Sequence, residues 1–102
     1  MKMTDSYVIG LSPSNLLDIQ LCFDFDSEKT VVNKIVHGMM HIDEATIIGG
    51  EEYAHELLQE IRERYNDIMV FAPNILESVH DGNDIDPMKL HIYEVNVGKE
   101  IM

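Results

Sequence analysis

Between Leu17 and Phe25 the chain alternates without a break: Leu17, Ile19, Leu21, Phe23 and Phe25 share one face, and Asp18, Gln20, Cys22 and Asp24 the other. Period-two alternation is the signature of a strand that is packed on one side and wet on the other. This is the clearest strand in the sequence, and it commits the chain to a sheet. The preceding Tyr7–Leu11 reads as a shorter strand, and Ser12-Pro13-Ser14-Asn15 between them is turn chemistry. Proline presets φ there, and Ser and Asn side chains bond nearby backbone groups.

Downstream the period changes. Val31, Val32, Ile35, Val36, Met39 and Met40 recur at helical spacing, and Ser27 before Glu28 suits an N-cap, so the pattern predicts a helix from Glu28 to about Met40. Asp43 to Ile48 is a short strand candidate that ends at Gly49-Gly50. From Glu51 to Tyr65 a second helix carries Tyr53, Ala54, Leu57, Leu58, Ile61 and Tyr65 on a single face. The apolar run Asp67–Ala72, closed by Pro73, predicts a strand covered on both faces in the middle of a sheet. Asn74 to His80 reads as a short helix, residues 80–84 as a loop, and Met88 to Val97 as a last long strand. Residues 98–102 are expected to fray.

Strands alternating with helices imply an α/β domain, a layered sandwich with a mixed four- to five-stranded sheet, two main helices and one short helix. If the first two strands pair as an antiparallel hairpin, the domain borders on α+β. A length of 102 residues suits one domain spanning 1–102, and there is no repeat or linker.

Nineteen Asp and Glu against seven Lys and Arg give a net charge of −12. Such a field repels phosphates and anionic lipid, so direct nucleic-acid or membrane-surface binding is disfavoured and a basic protein partner is favoured. No apolar run approaches the roughly 18 residues of a spanning helix, and the N-terminus carries no apolar leader core. Cys22 is the lone cysteine, which excludes an intrachain disulfide. Together these predict a cytoplasmic protein.

The acidic stripe is the most suggestive surface feature. Glu52, Glu56, Glu60 and Glu63 project from the second helix opposite its buried face, three or four residues apart. Like charges at that spacing cost an isolated helix about 0.2–0.5 kcal/mol per pair, so local stability does not explain them, although Glu60 can pair with Arg64. With Asp24, Asp26 or the Asp81/Asp84/Asp86 loop beside it, the ridge offers a negative surface for a basic partner, in the manner of an inhibitor, an antitoxin- or immunity-like protein, or a phage-type nucleic-acid mimic. The plain alternative is a solvated helix face.

Other motifs point elsewhere. His37 and His41 are spaced four apart, which on a helix puts two imidazoles on one face, and Asp43, Glu44 or His80 can complete a metal shell. Gly38 stands where a zincin carries glutamate, against a metalloprotease. The Asp81–Asp86 loop departs from the EF-hand ligand pattern, and Gly49-Gly50 lacks the Lys-Ser/Thr of a phosphate loop. Cys22 lies close to Asp24, which does not activate a thiol. No catalytic residue is assigned and no cofactor is expected. The favoured function is a non-enzymatic acidic binding protein. A metal module on His37/His41 is the alternative, and a self-assembling subunit paired as a homodimer through the 88–97 strand is the third reading.

Overall fold

The computed structural model describes residues 6–39, 41–71 and 85–95. They form six strands, β1 (Ser6–Ser12), β2 (Asn15–Asp24), β3 (Lys29–Met39), β4 (Ile48–Gly49), β5 (Met69–Phe71) and β6 (His91–Val95), and one α-helix, α1 (Glu51–Arg64). Short 3-10 turns at Ile42–Glu44, Tyr65–Asp67 and Pro87–Lys89 connect them. The sheet runs β4-β1-β2-β3-β5 with β6 also on β1, and it is antiparallel except for the β3–β5 pair. A mixed sheet with helix cover is as expected, but among the described residues it has six strands rather than four or five, and one main helix rather than two, because the first expected helix is a strand.

The helix expected from Glu28 to Met40 is β3. The strand pairs with β2 from Asp24↔Lys29 to Leu16↔Met39. Two register shifts explain the misleading period. Gln20 faces Lys34 while Leu21 faces Val32, which leaves Asn33 extra, and Leu17 faces His37 while Leu16 faces Met39, which leaves Gly38 extra. A bulge inserts one residue into the alternation, so two consecutive inward positions fall three apart. Val32 and Ile35, both fully buried, are such a pair. A strand with bulges thus imitated i, i+3, i+4 spacing, and its β-branched Val31, Val32, Ile35 and Val36 suit the extended chain. Gly38 accepts its bulge at φ 92°, a conformation side chains rarely adopt.

The turn from Phe25 to Glu28 closes the β2–β3 hairpin. Ser27 caps no helix: its hydroxyl donates to Asp24 Oδ2 at 2.8 Å, and the Asp26 N–H donates to Asp24 Oδ1 at 3.1 Å. Those two bonds, the Ser27 bond foremost, hold the Asp24 carboxyl below its ordinary value of 3.8. A depressed pKa contributes stability that is complete above the ordinary value and is lost as pH falls through the lowered one. Ser27→Ala is therefore expected to raise the Asp24 titration midpoint toward that of a free carboxylate, read by carboxyl-carbon NMR. An unmoved midpoint would remove the hydroxyl as the cause.

Other expectations are also revised. Asp43–Ile48 is mostly turn, because Thr46 meets β2 through a single backbone bond and its side chain and no ladder continues from it. Its N–H donates to the Leu17 carbonyl (3.1 Å), and its Oγ1 accepts from the Ile19 N–H (2.6 Å) and faces Asp18 Oδ1 (3.1 Å) and the Ile19 carbonyl (3.2 Å). Ile48 and Gly49 then pair with Tyr7 and Ser6, so this segment wedges between β1 and β2 where the two diverge. The strand expected at 67–72 to lie mid-sheet is a three-residue strand ending the path beside β3, with Val70 buried and Met69 exposed. Of the 88–97 strand, Pro87–Lys89 is a turn and His91–Val95 pairs antiparallel with β1. The short helix at 74–80, the loop at 80–84 and residues 96–97 lie outside the described residues.

The main core fills the space between α1 and one sheet face. Ala54, Leu57, Leu58 and Ile61 of the helix meet Tyr7, Ile9, Leu17, Ile19, Val32, Ile35, Ile48, Val70 and Leu90. Each fully buried aliphatic side chain contributes about 1.5–3 kcal/mol relative to exposure. A smaller cluster, Val8, Leu16, Ala45 and Val95, covers part of the opposite face. No helix among the described residues is long and apolar enough to cross a membrane.

Candidate functional site

The β2–β3 hairpin outruns the helix that covers its base. On β2 the alternation is unbroken, so Leu21 and Phe23 lie on the same face as Leu17 and Ile19. The latter two are buried under α1, whereas Leu21 is 42 % exposed, Phe23 50 % and Phe25, at the turn, 83 %. Phe23 and Phe25 pack edge to face at 4.9 Å between ring centres. Every residue from Gln20 to Thr30 is exposed except half-buried Asp24. The arm therefore carries an uncovered apolar strip beyond the helix.

Between this arm and α1 lies an open groove of about 750 Å³. The arm contributes Leu21, Lys29 and Thr30, and the helix flank contributes Tyr53, Leu57 and all four glutamates of the predicted ridge, Glu52, Glu56, Glu60 and Glu63. The helix places them there by its own pitch, since positions 52, 56, 60 and 63 fall on one side of a 3.6-residue turn.

The four glutamates are not equivalent. Glu60 Oε2 accepts the Val32 N–H at 2.6 Å, and Arg64 Nη1 donates both to the Val32 carbonyl at 3.0 Å and to Glu60 Oε2 at 2.9 Å. Together these side chains stand in for a neighbouring strand at the edge of β3, before β5 begins to pair at Lys34. Glu60 thus has a structural partner, which a sequence reading of evenly spaced acids missed although it foresaw the Glu60–Arg64 pair. Glu63 accepts from Gln59 Nε2 at 2.7 Å and stays exposed. Glu52 and Glu56 are exposed, and His55 nearby contacts Glu51 at 3.6 Å. The unneutralised wall is therefore Glu52, Glu56 and Glu63, with Lys29 the cation across from it. Of the other acids assigned to the surface, Asp24 and Asp26 sit at the arm's tip, with Asp24 folded onto its own turn, Asp86 accepts the Met88 N–H at the start of the Pro87–Lys89 turn, and Asp81 and Asp84 lie outside the described residues.

The histidine pair does not assemble as a helical site. His37 is half-buried in β3 opposite Leu17, and His41 is exposed after the strand, with the Gly38 bulge between them. Asp43 lies exposed in the 3-10 turn that follows, and His80 lies outside the described residues. Among the described residues no three His, Cys, Asp or Glu side chains converge as a metal site. Cys22 is exposed on the wet face of the arm. The residues that sequence reasoning missed are Leu21, Phe23, Phe25 and Tyr53. Their signal was present, since the alternation continues to Phe25, but which part of it α1 covers is a tertiary fact. Comparison with known proteins gives no relative: no protein-family model, curated protein or solved structure matches this chain.

Proposed function

We propose that this protein is a non-enzymatic acidic binding protein that covers a basic surface of a protein partner. The observation that supports this reading is the groove in which Glu52, Glu56 and Glu63 stand beside the exposed apolar side chains of Leu21 and Tyr53. Exposed carboxylates confer attraction and rate for a cationic partner, while apolar groups beside them supply affinity that charge alone does not. Glu60 is committed to the fold, so the free acids are spaced about 6 Å and then about 10 Å along the helix axis. That uneven series favours a protein surface over a repeated copy of a phosphate backbone, within the same class of inhibitor or immunity-like function.

Charge reversal tests it. Tagged protein carrying Glu52→Lys, Glu56→Lys and Glu63→Lys is expected to lose the partners that the unmodified protein retains from lysate at low salt and releases at high salt, because exposed pairs are screened. All three residues are exposed, so circular dichroism should be unchanged. Retention of the same partners by the reversed protein would rule out the acidic wall as the binding surface. Glu60→Gln serves as the contrast. It is expected to cost stability, about 1–3 kcal/mol for weakening the hold on the Val32 N–H and Arg64, and to leave the partner set intact.

A further inference from the structure

We infer that the groove takes an amphipathic basic helix of the partner, laid beside α1 across the helix-side face of the β2–β3 arm. This inference rests on the binding reading above and names how the partner is held. The argument begins with the uncovered strip. α1 buries β2 only as far as Ile19, leaving Leu21 and Phe23 at 42 and 50 % exposure on the same side, with Phe25, 83 % exposed in the turn, packed edge to face on Phe23. From Leu21 to Asp24, where β2 ends, the extended chain advances about 10 Å, and Phe25 in the turn prolongs the arm beyond it. An α-helix with its side chains is about 10–12 Å across, and helices packed side by side sit about 8–10 Å apart. The bare part of the arm therefore has room for one helix next to α1, completing a two-helix layer over the sheet.

Charge selects the occupant. The flank of α1 that such a helix would meet carries the exposed Glu52, Glu56 and Glu63, and the arm tip adds Asp24, Asp26 and Glu28. Lys29 is the one unpaired cation among the described groove residues, since Arg64 is bound to Glu60. A second copy of this chain, at −12, meets repulsion there. A helix with apolar residues at i, i+3, i+4 and i+7 on one face and Lys or Arg flanking it satisfies both features: its apolar face meets Leu21, Phe23 and Tyr53, and its cations reach the glutamates.

Three synthetic 16-residue probes separate this from simple charge attraction: a leucine/lysine peptide with helical period, its isomer of identical composition with period-two alternation, and oligolysine. Affinity is read by calorimetry at about 0.15 M salt, and the contact surface by backbone amide shifts. The helical peptide is expected to bind at least about tenfold more tightly than either other probe, and to shift signals of Leu21, Phe23, Tyr53 and Glu56. Leu21→Ser with Phe23→Ser should remove that tenfold preference; both side chains are exposed, so the fold should survive. Equal affinity for all three probes, or a preference unaffected by the serine variant, overturns the helix inference and leaves the acidic-surface reading standing. Failure of every cationic probe to bind overturns both.

Discussion

Replacing Gly10 with alanine is expected to destabilise the protein by about 3 kcal/mol, the upper end of the usual cost of overpacking, and to lower Tm by about 12 °C or more. Gly10 lies where β1 meets β2, paired at once with Leu16 and with His91 of β6. A Cβ built on it would stand 2.4 Å from the Asn15 carbonyl oxygen and 2.8 Å from the Leu16 Cα. Backbone atoms cannot rotate away as a side-chain end can, so the strands must part or the pairing must slip. Gly49→Ala is the internal control: a Cβ there meets nothing within 4 Å, and the effect should be within about 1 kcal/mol of zero. Urea denaturation of both variants checks the pair. Equal stability would mean that β1 and β2 are not in close backbone contact at Gly10.

The second large effect belongs to Ile35→Ala, with an expected loss of about 2–5 kcal/mol. Ile35 is fully buried, faces Ile19 across one ladder and Val70 across the other, and lies in the cluster beneath α1. Truncation removes transfer energy and leaves a cavity between three strands and the helix. The neighbouring Val36 is only half-buried and does not belong to that cluster, so Val36→Ala should cost clearly less. Asn33→Ala, at an exposed bulge, should cost little. This large, small and near-zero series is what a bulged strand dictates. A helix over the same residues would make Val32, Ile35, Val36 and Met39 comparably sensitive, so equal losses at Ile35 and Val36 would refute the strand.

The unbroken alternation from Leu17 to Phe25 and the single apolar stripe of Glu51–Tyr65 were legible because each matches its element's period without interruption. β3 was not, because its two bulges shift the inward positions and turn period two into apparent helical spacing. β4 was legible only as a strand near Ile48, since one backbone bond and the side chain of Thr46, rather than a continued ladder, tie that segment to β2. Among site residues, the four glutamates could be assigned to one flank from helical pitch alone. Leu21 and Phe23 were legible as part of the apolar face of β2, but not as its uncovered part.

The sequence by itself determined the strongly negative surface, the wet-sided β2, and a helix with one buried face and one acidic flank. These follow from residue identity and local periodicity, which need no partner to be read. Tertiary structure alone decided that the arm extends past α1, that Glu60 is used to complete the β3 edge while Glu52, Glu56 and Glu63 are not, and that apolar and acidic residues distant in sequence line one groove. Burial is a property of what lies opposite a residue. The same alternation that buries Leu17 and Ile19 under α1 leaves Leu21 and Phe23 bare a few residues later, where α1 no longer lies above them.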